Sequence, residues 1–140
     1  MRTAWVAAGL GAAALTAGCG SGSGPPDDEQ IRSTLTTYYQ AFASGDGATA
    51  CDQLSEDSVA TLEKQGRGRT CPQVLDAALR RPGYASVAQK LTRAKIAKIT
   101  VADGKATVSI EVPGAPAAAR RVPVLLKKEG VRWKITSAPR

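Results

Sequence analysis

Cys19, Cys51 and Cys71 are the most chemically versatile side chains in this 140-residue chain, and their spacing excludes more chemistry than it admits. No two stand in a C-x-x-C arrangement and the chain has no histidine, which argues against a metal centre. With no imidazole to ionise a thiol, thiolate catalysis is a poor reading as well. The Gly-Ser stretch after Cys19 is neither a phosphate loop nor a nucleophile elbow. Asp46 and Asp52 flank a helix junction, where an acid is a cap far more often than a pocket group. Tyr38, Tyr39, Phe42 and Trp133 could line a ligand site, their other reading being core packing against a sheet. No catalytic residue, metal ligand or cofactor is therefore assigned.

Arg2 is the only charge ahead of an apolar run over residues 4–15, which is too short to span a bilayer. Leu15-Thr16-Ala17-Gly18 follows and closes on Cys19. The segment resembles bacterial lipoprotein signal peptides, with one departure: Thr16 stands three before the cysteine, where Leu is usual, and Leu15 lies one place earlier. The resemblance implies that residues 1–18 are removed and that Cys19 takes a diacylglyceryl group, anchoring the protein to the outer face of the bacterial cell membrane. An ordinary secretory signal and an uncleaved anchor are the alternatives. Lipidation of Cys19 would account for the odd cysteine count and leave Cys51 and Cys71 as a pair in an oxidising compartment. A disulfide between them would stabilise the fold by about 3 kcal/mol; two buried thiols are the alternative. Residues 19–26 continue as a Gly/Ser/Pro tether spanning on the order of 15 Å as a coil, and residues 27–140 are long enough for one domain.

Within that domain helices come first. Asp27 and Gln30 suggest a capping box, and Ile31, Leu35, Tyr38, Tyr39 and Phe42 recur at helical spacing up to a Gly45-Asp46-Gly47 stop. A second helical stretch covers residues 48–64, broken near Ser55. Thr70 and Gln73 form another box opening a helix expected to bury Val74, Leu75, Ala78 and Leu79 before Pro82-Gly83, and residues 84–91 add a short helical turn.

Strands follow as two hairpins. Asp103-Gly104 in a two-residue turn pairs Val101 with Ala106, Ile99 with Val108 and Ala97 with Ile110, all on one face. A turn at Glu129-Gly130 pairs Lys128 with Val131, Leu126 with Trp133 and Val124 with Ile135. Lys98, Lys127, Arg132 and Lys134 then share the outward face. Pro123 places its strand at an edge or a bulge. The expectation is an α+β domain of amphipathic helices on a curved antiparallel sheet of four strands.

The Tyr38-Tyr39-x-x-Phe42 cluster, the Gly45-Asp46-Gly47 helix end and the last strand, Gly130-Val131-Arg132-Trp133-Lys134-Ile135, resemble small exported members of the nuclear transport factor 2-like superfamily. That resemblance implies a cone-shaped sheet with helices over its mouth. Enzymes of that superfamily place polar side chains inside the cone, whereas the inward strand positions here are apolar.

Charge is segregated along the chain. Residues 27–76 hold nine acids against four bases, and residues 80–140 hold fourteen bases against three acids. A basic sheet half tethered at a membrane could contact anionic lipid, the alternative being a solvated face that keeps the domain soluble. The extracytoplasmic location that the lipoprotein resemblance implies argues against nucleic acid as a partner. Two functions compete: a non-catalytic binding module contacting lipid or an envelope protein, and a carrier or enzyme with a small apolar cavity.

Overall fold

Two prolines that cannot extend a helix backwards, Pro25 and Pro26, set the start of the first element in the computed structural model, which describes residues 24–137. The export segment and Cys19 lie outside the described residues. Helix α1 (Asp27–Ser44) places Asp27, Asp28 and Glu29 in its first turn, where the helix dipole favours acids, and ends at Gly45 in the left-handed conformation. The capping box expected at Asp27 is not formed. Pro26 is the cap residue, Gln30 Nε2 donates to the Pro25 carbonyl at 2.7 Å, and the Asp27 carboxylate turns to stronger, charge-assisted partners on the sheet.

Helices α2 (Gly47–Asp52) and α3 (Glu56–Gln65) replace the broken helical stretch, with Ser55 as the cap between them; its Oγ accepts from the Ser58 N–H at 3.3 Å. Helix α4 (Cys71–Leu79) opens with Pro72 in its first turn and with Gln73 Oε1 accepting from the Thr70 N–H at 3.0 Å. Cys51 and Cys71 are disulfide-bonded, joining α2 to α4. A Cβ on Gly47 would sit 3.0 Å from the Pro72 backbone, so the glycine permits this close approach. Helix α5 (Tyr84–Leu91) completes the helical half.

The sheet is an antiparallel meander in the order β1 (Lys95–Ala102), β2 (Lys105–Glu111), β3 (Arg121–Glu129), β4 (Arg132–Ser137). Asp103 and Gly104 both take positive φ, as a tight hairpin turn requires, and the first hairpin follows the expected register from Ala102 to Lys98. An irregularity between Ile96 and Lys98 then slips the strand, so Ile96 and not Ala97 faces Ile110, and Ala97 is exposed. Val101, expected inward, is 38% exposed because it lies on the edge strand farthest from the helices, which pack on β4 through α1 and α3.

The second hairpin departs by two residues. Gly130, at φ 60°, takes the first central turn position, pairing Glu129 with Arg132, Lys128 with Trp133 and Leu126 with Ile135. A two-residue move preserves the faces, so Trp133, Leu126 and Ile135 remain inward and buried. Strand β3 is interior, yet the described β4 ends opposite Leu125, so Pro123 withholds its N–H where β4 no longer pairs. The free edge of β4 is capped by the α2–α3 connection: the Ser55 N–H donates to the Ile135 carbonyl and the Ile135 N–H to the Gln53 carbonyl, both at 2.9 Å.

Core side chains run from Ile31 and Leu35 on α1 through Val108, Ile110, Val124 and Leu126 to Trp133 and Ile135. The helices and the sheet of the described residues thus share one hydrophobic core, the condition for a unit to fold in isolation. Among the described residues no helix is long and apolar enough to cross a membrane.

Candidate functional site

Helix α3 carries apolar side chains yet fully buries none of its residues, and on α4 only Cys71 and Leu75 are buried. Val74 and Ala78, expected in the core, stay partly exposed. The reason is an open groove of about 530 Å³ between the second half of α1, the facing sides of α3, α4 and α5, and the end of β4. Its floor is apolar, with Tyr38 and Phe42 beside Leu54, Leu62, Leu75 and Leu91. Tyr38 and Phe42 stack nearly parallel, ring centroids 6.1 Å apart. Ser58, Thr61 and Gln65 supply a polar border. Volume and lining fall in the range of ligand pockets, which are mostly apolar with a few polar groups to orient what they hold.

Of Tyr38, Tyr39, Phe42 and Trp133, the structure places Tyr38 and Phe42 along this groove and the other two elsewhere. Tyr39 is 4% exposed in the core, edge-on to Tyr38 at 5.4 Å, and its hydroxyl has no hydrogen-bond partner among the described residues. Burial pushes that phenol well above its ordinary range, with the neighbouring Tyr38 adding to the effect, so it stays neutral. Trp133 lines a smaller recess of about 310 Å³ on another part of the surface, with Pro25, Ser33 and Gln53. Its indole Nε1 donates to Asp27 Oδ1 at 2.9 Å, and Lys128 Nζ donates to the same oxygen at 2.9 Å while standing 5.7 Å from the ring centroid. Lys128 first and the indole second hold the Asp27 carboxyl below the usual carboxylate range.

The expected basic face is largely neutralised by the acidic helical half. Lys127 bonds Asp57 at 2.7 Å and Glu129 at 3.0 Å, Arg132 lies 3.6 Å and Lys134 3.7 Å from Asp52, and Lys134 also donates to the Asp52 carbonyl. The Lys127 hydrogen bond lowers the Asp57 carboxyl, and Asp57 and then Glu129 raise the Lys127 ammonium. Of the four cations expected on this face, only Lys98 has no carboxylate within 4.0 Å among the described residues. Asp46 acts as a cap: its Oδ1 accepts from the Thr49 N–H at 3.0 Å, which lowers its carboxyl.

Compared with protein families, curated proteins and solved structures, the chain matches none.

Sequence reasoning missed Leu62, Leu75, Arg69, Arg81 and Tyr84, all of which line the groove. The available signal was the α4 segment, whose Val74, Leu75, Ala78 and Leu79 supply more apolar surface than one short helix packed on a neighbour needs.

Proposed function

We propose that the protein is an exported lipoprotein, held at the outer face of the bacterial membrane through Cys19, whose domain is a non-catalytic binding module for a small apolar ligand. The observation that carries this reading is the groove of about 530 Å³ floored by the stacked Tyr38 and Phe42 rings. Each methylene moved from water onto such a floor contributes about 0.8 kcal/mol. A nuclear transport factor 2-like domain is the architecture this reading favours, supported by the long aromatic first helix packed on the last strand of a four-stranded meander.

The groove also lies away from the tether. Tyr38 and Phe42 are about 16 and 22 Å along α1 from Asp27, where the tether enters. A membrane-held domain can therefore present it to the surrounding envelope.

The test is titration of the soluble domain, residues 24–140, with the uncharged dye Nile red. Saturable, blue-shifted fluorescence is expected, and Ala78→Trp, which fills the groove from α4, should abolish it while the circular dichroism spectrum is unchanged. Equal signal from both proteins would refute the groove as the binding site.

A further inference from the structure

Two arginines of the groove lining, Arg69 and Arg81, have no acidic partner among the described residues, where the sheet cations are mostly paired. Arg69, in the loop after α3, spends its Nε–H on the Gly66 carbonyl at 3.1 Å. Arg81, just past α4, lies with its guanidinium 5.9 Å from the centroid of Tyr84, itself part of the lining. Neither has a carboxylate within 4.0 Å among the described residues. Asp57, the one acid of the lining, is held by Lys127 at 2.7 Å.

We infer that the groove takes a single-chain amphiphile with an anionic head, the acyl chain lying over Tyr38, Phe42 and Leu75 and the head meeting Arg69 and Arg81. This rests on the groove being a binding site and adds the class of ligand. Guanidinium groups suit the assignment: they remain charged at every physiological pH and bind carboxylate or phosphate oxygens through two parallel N–H donors. The cation–π contact with Tyr84 favours this placement of Arg81, so less side-chain freedom is lost when it engages a head group. A fatty-acid carboxylate and a lysophospholipid phosphate share this chemistry.

Fluorescence titration of the soluble domain with cis-parinaric acid and with its methyl ester, both below their micellar concentrations, separates the parts. The acid should bind about tenfold more tightly than the ester, and the Arg69→Gln/Arg81→Gln double variant should bring the acid down to the ester's affinity without changing the ester's. Displacement by palmitate but not by lysophosphatidic acid identifies a carboxylate head, and the reverse identifies a phosphate. Equal binding of acid and ester, or an unchanged double variant, would overturn the head-group assignment while leaving the groove reading intact. Absence of binding by both probes would overturn the groove reading as well. Arg81→Lys, which keeps the charge but loses the planar fork, should recover part of the lost affinity.

Discussion

Trp133 and Asp27, 106 positions apart, are joined by a 2.9 Å hydrogen bond from the indole Nε1 to Oδ1. The bond fixes the first residue of α1, at the end of the tether, to the last strand of the sheet. Thr34 reinforces the same junction about two turns further along the same face of α1, its hydroxyl donating to the Trp133 carbonyl at 3.2 Å.

Removing this junction should be costly. Trp133 is 2% exposed, so Trp133→Ala should destabilise the domain by about 3–5 kcal/mol, read from urea unfolding. Trp133→Phe should lose less, since it keeps the packing and drops the hydrogen bond.

Stability should be flat from about pH 5 to 8, because no histidine titrates there. The Asp27, Asp46 and Asp57 carboxyls all lie below their ordinary value in the folded protein. Their contribution is complete above the unfolded-state pKa of about 3.9 and is lost as pH falls through the depressed folded values. The Lys127 share, raised in the folded state, disappears only above the ordinary lysine range. Thermal melts across pH should show a plateau that falls only in strong acid; a step near pH 6.5 would contradict this.

The Cys51–Cys71 bond closes a loop across 20 positions. Replacing both residues by serine should lower stability by about 3 kcal/mol in urea unfolding. A midpoint unmoved by the double substitution or by reductant would mean that the bond contributes nothing to the fold.

Much of this architecture is readable from the residues where a local rule decides it. Asp103-Gly104 admits few turns other than a tight hairpin, so most of the first register is legible. Gly130 suits either central turn position, and only packing chooses between them; the faces come out the same because the alternatives differ by an even number. The slip beside Ala97 leaves no mark on composition. The pairing of Leu54 with Ile135 and the groove between four helices arise from how distant elements meet, which periodicity within one element cannot express. Segregation of charge was plain, yet not that the two halves pair, Asp52 and Asp57 with Lys127, Arg132 and Lys134.

Those acids should mask the sheet. Asp52→Asn with Asp57→Asn would leave Arg132 and Lys134 without an acid and Lys127 with Glu129 alone, and the soluble domain should then bind anionic vesicles more strongly at low salt. The gain should vanish near physiological ionic strength, where exposed charges are screened within about 8 Å. Unchanged vesicle binding would show that the face contributes no attraction to anionic lipid.

Membrane attachment should depend on Cys19. Cell fractionation of Cys19→Ser should move the domain out of the membrane fraction, and retention there would rule out a lipid anchor at this residue.

The most direct test of the groove is methyl NMR of the soluble domain titrated with 1-dodecanol, an uncharged single-chain ligand. Methyl signals of Leu62, Val74, Leu75 and Leu91 should shift together and saturate, while those of Val101 and Val131, exposed at the hairpin tips, should stay in place. Shifts confined to Val101 and Val131, or none at the groove methyls, would contradict a ligand site between α1, α3, α4 and α5.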